Sequence, residues 1–77
     1  MANETKGLVH FKDGHTEPII SYMDDSATSV LTFNTKHAIY IRIFHKHQFH
    51  QYYKYRVNKN WEPDYILVND IDYVELK

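Results

Sequence analysis

From Lys36 to Lys59 the chain runs KHAIYIRIFHKHQFHQYYKYRVNK, with no glycine, no proline and no carboxylate. Within it, Ala38–Phe44 alternates more cleanly than any other stretch. Ile39, Ile41 and Ile43 fall on one side, and Tyr40, Arg42 and Phe44 on the other. A period of two is the mark of a strand, and the isoleucines are expected to face the core with the second set half-exposed. A single strand carried on to Val57 would reach about 65 Å at roughly 3.3 Å per residue. That is too long for 77 residues, so the chain must reverse or form a short helix within His45–His50. A helix would set Phe49, Tyr52 and Tyr53 on one stripe. Two strands joined by an irregular turn fit better, because Tyr52–Val57 is rich in β-forming residues. An odd-length turn would keep the even-numbered residues of both halves on one face, and an even-length turn would separate them.

The rest of the chain is divided by turn signals. Asp13-Gly14 between the alternating stretches Gly7–Lys12 and His15–Tyr22 predicts a hairpin with a two-residue type I′ turn. That loop would pair Lys12 with His15, Phe11 with Thr16, His10 with Glu17 and Leu8 with Ile19. Pro18 lacks an amide hydrogen and predicts an edge position for its strand, or an amide side facing water. Asp24-Asp25-Ser26 reads as a turn, Val30–Phe33 as a strand, and Asn34-Thr35-Lys36-His37 as the next reversal. Asn58-Lys59-Asn60 and Glu62-Pro63-Asp64 are turns, Tyr65–Val68 is a short strand, and Asn69-Asp70 could cap one helical turn. Ile71–Leu76 is the last strand, with Ile71, Tyr73 and Glu75 expected on one face and Asp72, Val74 and Leu76 on the other. Trp61 is expected to close one end of the core with Tyr65 and Tyr73; exposed, it would be an interface hot spot. The sum is an all-β fold, a single domain over 1–77 with residues 1–6 flexible. Six or seven strands form an antiparallel meander, open and curved or curled into a small barrel, with at most a short helical turn. Two glycines are few for the bends of a closed barrel.

Two segments carry a resemblance. Gly7-Leu8-Val9-His10-Phe11-Lys12-Asp13-Gly14 and Val68-Asn69-Asp70-Ile71-Asp72-Tyr73-Val74-Glu75-Leu76 look like the ends of small uncharacterised all-β proteins of Gram-positive bacteria and their phages. The closing segment is also similar to SH3-like and Sm-like partly closed barrels, in which a short turn precedes the last strand. The resemblance implies a β fold and a phage or mobile-element origin, and it assigns no functional residue.

Composition limits the function. A chain this short buries only about 60% of the surface it exposes when unfolded, so its packing relies on seven Tyr, four Phe and one Trp. With no cysteine, it has no disulfide, thiolate zinc site or cysteine nucleophile. No apolar run of about 18 residues and no basic-then-apolar leader is present, so a cytoplasmic protein without membrane contact is expected. No Ser-His-Asp spacing, phosphate loop or perturbed carboxylate pair is evident, which argues against an enzyme and against a cofactor.

Charge is strongly segregated. Lys36–Lys59 holds six of the nine Lys and Arg residues and four of the six His, while the flanks hold all ten carboxylates. Neighbouring acidic strands could simply neutralise it across a sheet. As a working surface, Tyr40, Arg42, Lys46, Tyr52, Lys54 and Arg56 combine rings with cations. Tyr and Arg dominate protein interfaces, which makes a protein partner the first expectation. Single-stranded nucleic acid is the alternative, since it needs cations for phosphate and rings for bases. A third reading is a homo-oligomeric structural protein. His45, His47 and His50 resemble a metal-ligand set only weakly, because Lys46 lies among them and no carboxylate is near. Protonation of all six His would move the net charge from −1 to +5, so these imidazoles could also sense pH.

Overall fold

The computed structural model describes residues 5–45 and 49–77, with only the backbone of His45. Eight strands follow in order: β1 (Gly7–Phe11), β2 (Thr16–Ile19), β3 (Ser21–Asp25), β4 (Val30–Asn34), β5 (Ile39–His45), β6 (Phe49–Val57), β7 (Pro63–Val68) and β8 (Ile71–Leu76). No helix occurs among the described residues. The strands make two antiparallel sheets, β2-β1-β8 and β3-β4-β5-β6-β7, which do not close into a barrel. The strand count exceeds the expected six or seven because the stretch after His15 is split between the sheets. Ile19 still accepts the Lys6 N–H (2.9 Å), whereas the Ile20 N–H already donates to Asn34 of the larger sheet (2.8 Å). Pro18 lies on β2, an edge strand as expected.

The first hairpin forms, but one residue out of the expected register. Its loop is Lys12-Asp13-Gly14, closed by bonds from Phe11 N–H to His15 O (2.9 Å) and from Gly14 N–H to Phe11 O (3.0 Å). A type I′ turn needs positive φ at both central residues, and here Gly14 has it (φ 98°) while Asp13 does not. The Asp13 carboxylate instead accepts the His15 N–H (2.9 Å) and contacts its ring Nδ1. That backbone bond is the main reason its carboxyl sits below the usual value. The consequence lies in packing, because a one-residue slip exchanges faces. In the observed register Gly7 pairs with Ile19 and Val9 with Glu17, so Val9, Phe11 and Ile19 enter the core together.

The last strand differs in a related way. Phe11 pairs with Ile71 but His10 pairs with Tyr73, an irregularity of the bulge type. It turns Ile71 inward alongside Val74 and Leu76, correcting the expected grouping of Ile71 with Tyr73.

The core lies between the sheets and consists of Val9, Phe11, Ile19, Leu31, Phe33, Tyr40, Tyr52 and Ile71. Here the expected faces of β5 are reversed: Tyr40 is buried, while Ile39 is 40% exposed. The cause is the β4–β5 connection. Thr35 N–H donates to Ala38 O (3.0 Å) across the two-residue loop Lys36-His37, which sets Phe33 opposite Tyr40 and Leu31 opposite Arg42. Leu31 and Phe33 are fully buried, so their partners go inward with them. The buried Thr35 hydroxyl oxygen accepts the N–H groups of His37 (3.1 Å) and Ala38 (3.3 Å).

Candidate functional site

β5 and β6 pair with Tyr40 opposite Lys54, Arg42 opposite Tyr52 and Phe44 opposite His50, so the even-numbered residues share a face as the sequence allowed. The helical reading of Phe49, Tyr52 and Tyr53 is replaced by strand. That shared face is the inner one. Tyr40 and Tyr52 are core residues, 6% exposed each, and cannot serve as a stacking surface. Arg42 is half-buried between Leu31 and Tyr52, and Lys54 is exposed. Arg56 reaches Asp64 on β7 (3.7 Å), an exposed pair that contributes little. Lys46 and His47 lie outside the described residues, as does the His45 side chain. His50 packs edge-on against Phe44 (5.2 Å), and burial, then Arg42, lowers its pKa.

Acidic groups of the smaller sheet and the β7–β8 turn face this basic strand pair. Burial pushes the Tyr40 hydroxyl above its usual 10.0, and the charges of Glu17 and Asp70 push it further. Burial also raises Tyr52, with Arg42 opposing and Asp72 adding to the rise. An open cleft of about 740 Å³ carries Lys12 and Lys54 beside Asp13 and Asp70, so it offers a polyanion no single-signed field. A labelled single-stranded oligonucleotide is therefore expected to show no saturable binding even at low salt.

The two phenols yield a pH prediction. Folding favours their neutral form, so their contribution is complete below pH 10.0 and is lost as pH rises through the higher folded values. In an alkaline titration, the Tyr40 and Tyr52 phenolates should form only as the β signal in circular dichroism disappears. Phenylalanine at both positions should move that loss of structure to higher pH.

The apolar groups left outside are on the other face of the larger sheet. Met23, Thr32, Ile41, Tyr53 and Leu67 form one row across all five strands. Ser21, Asn34, Ile39, Tyr55 and Tyr65 form the next, and Asp25, Val30, Ile43 and Gln51 a third. Met23 is 73% exposed, Tyr65 56% and Leu67 45%. Ile41, Ile43, Tyr53 and Tyr65 line a shallow apolar hollow at its centre.

Beyond these rows, at the tip of the β6–β7 hairpin, stands Trp61. It is 88% exposed, and Tyr65 and Tyr73 are exposed too, so the expected aromatic closure of the core does not form. The loop has the geometry of the first hairpin. Asn58 N–H donates to Glu62 O (2.9 Å) and Trp61 N–H to Asn58 O (3.0 Å), while the Asn58 side-chain oxygen accepts the N–H groups of Asn60 (2.8 Å) and Glu62 (3.1 Å). β7 consequently begins at Pro63, inside the expected Glu62-Pro63-Asp64 turn. Trp61 occupies the position that Gly14 holds in the first loop, at φ 62°. A bulky residue there costs about 1–3 kcal/mol. The sequence signal for it was the parallel between Lys12-Asp13-Gly14 and Lys59-Asn60-Trp61. Asn58→Ala removes these two bonds and the one its side-chain amide donates to Asp64 (3.3 Å), and is expected to destabilise the hairpin by about 1–2 kcal/mol, read from thermal melts.

Neither a family model, nor a curated protein, nor a solved structure matches the chain. No group of three His, Cys, Asp or Glu side chains suited to a metal occurs among the described residues. No helix among them is long and apolar enough to cross a membrane.

Proposed function

We propose that this chain is a small non-catalytic interaction protein that binds another protein through the Trp61 hairpin, with Val57 and Tyr65 alongside. One observation carries this reading: a fully displayed tryptophan is held in a strained backbone conformation by a tight set of turn bonds. Tryptophan is among the residues that most often dominate binding energy, because its large ring is rigid and buries much surface on docking. Strain kept at an exposed tip contributes nothing to the fold. The lack of cysteine supports placing the protein in the cytoplasm, and the resemblance of its two end segments supports a phage or mobile-element origin.

The test uses Trp61 as its own reporter, since it is the single tryptophan. A protein retained by immobilised wild type, identified and purified, should shift the Trp61 emission to the blue on titration. Trp61→Ala should lose this binding at least about thirtyfold, a hot-spot effect, while keeping its circular dichroism. Equal binding by wild type and Trp61→Ala ends the reading. Trp61→Gly separates stability from binding: it relieves the positive φ and is expected to hold or raise stability by up to about 1 kcal/mol, yet to lose the partner.

A further inference from the structure

We propose that the open cleft bounded by the β1–β2 loop, the β7–β8 turn and the inner face of β5 and β6 binds a small zwitterion, an α-amino acid with an apolar side chain. The cleft holds about 740 Å³, within the roughly 300–1,000 Å³ usual for small-molecule sites. Phe11, Leu67 and Val68 give it apolar walls, and its charged groups are few: Lys12 and Lys54 against Asp13 and Asp70. None of Val57, Trp61 and Tyr65 lines it, so the site is separate from the Trp61 hairpin.

The observation that carries it is the Tyr40 hydroxyl. The Tyr40 ring belongs to the core, and the residue is only 6% exposed. Its hydroxyl nevertheless has no hydrogen-bond partner among the described residues. A buried tyrosine usually satisfies this group within the fold. The hydroxyl is not sealed in, because Glu17 Oε1 is the one enclosed and unpartnered side-chain polar atom among the described residues. The cleft is the space that Tyr40 lines. Burial, then Glu17 and Asp70, keep the phenol further from ionising than usual, so it meets the cleft as a donor and calls for an acceptor.

Charge selects the occupant. Lys54 stands opposite Tyr40 in the β5–β6 ladder, and neither Lys54 nor Lys12 has an ion-pair partner among the described residues. The Lys12 N–H donates to Asp70 O (2.8 Å), which sets those two residues side by side. The Asp13 carboxylate is engaged by His15. The Asp70 carboxylate accepts no hydrogen bond among the described residues, and its charge reaches the Tyr40 phenol. A ligand carboxylate accepts from the Tyr40 hydroxyl and the Lys54 ammonium, and a ligand ammonium donates to Asp70. An anion alone would leave Asp70 partly desolvated and unpaired, and a cation alone would do the same to the lysines. A zwitterion satisfies both signs, and its apolar side chain covers the Phe11, Leu67 and Val68 walls.

Titration of the isotope-labelled protein, followed by nuclear magnetic resonance, tests the inference. L-leucine and L-phenylalanine should each shift the Lys12, Lys54 and Asp70 amide resonances saturably, with a Kd of about 1 mM or lower for ligands of this size. Phenylpropionate, which lacks the ammonium, and phenethylamine, which lacks the carboxylate, should bind at least about tenfold more weakly than L-phenylalanine. Tyr40→Phe removes only the hydroxyl, so it should keep its thermal melt yet lose affinity at least about tenfold. Trp61→Ala should bind both amino acids as wild type does, so this site and the hairpin are read separately. No saturable shift with either amino acid overturns the inference. Equal affinity for the singly charged analogues, or an undiminished affinity in Tyr40→Phe, overturns it too.

Discussion

Phe33→Ala is expected to leave the domain largely unfolded at 25 °C. Phe33 is fully buried, stacked on Tyr40 (5.4 Å, 24° between planes) and edge-on to Tyr52 (6.5 Å, 81°). Truncating a buried phenylalanine typically costs about 3–5 kcal/mol, through lost transfer energy and the cavity left behind. A domain of this length has about 4–12 kcal/mol in total at the usual stability per residue. One substitution thus removes from about a quarter of the stability to all of it. The ring sits where the strand holding it meets the smaller sheet, so neighbours from both sheets would have to collapse into the space. Urea unfolding followed by far-ultraviolet circular dichroism should show the midpoint fall towards zero. Ile20→Ala, at a site 54% exposed, should barely move it. A midpoint within experimental error of wild type for Phe33→Ala would mean that the two sheets do not share this core.

Gly7→Ala comes second in size. A Cβ at Gly7 would overlap the Glu75 carbonyl oxygen and lie 3.1 Å from the Leu76 Cα. Both obstacles are backbone, so no rotamer relieves them. The β1–β8 ladder must part where Gly7 pairs with Leu76, at an expected cost of about 3 kcal/mol, the upper end for overpacking. Hydrogen exchange should speed up at the β8 amides in particular. Gly14→Ala is the informative comparison. Its Cβ meets nothing within 4 Å, so only the positive φ is penalised, by about 1 kcal/mol. Equal effects of the two substitutions would contradict the close approach of β1 and β8.

Several features were legible because they depend on neighbours in the chain. The alternation of Ile39 through Phe44 makes a strand wherever it is placed. Pro18 excludes a central position, and the length of Ala38–Val57 demands a reversal. The all-β class follows from such local facts. The register of the first hairpin did not, because Asp13-Gly14 suits a two-residue loop as well as the end of a three-residue one. The need to bring Val9, Phe11 and Ile19 to one side decided it. Trp61 was misplaced for a similar reason: a large ring suggests core, yet the bonds around Asn58 put it at a hairpin tip.

The binding residues expected at Tyr40 and Tyr52 show the limit most clearly. Both faces of β5 carry large apolar side chains, so alternation reveals that two faces exist without saying which one is covered. The sequence by itself determined strands, reversals and the segregation of charge, all of which are set within a few residues. Only the tertiary structure decided which face became core. Leu31 and Phe33, carried across the Lys36-His37 loop, brought Tyr40 and Tyr52 in beneath the smaller sheet. Three strands can cover one side of five, and the isoleucines were left on the other.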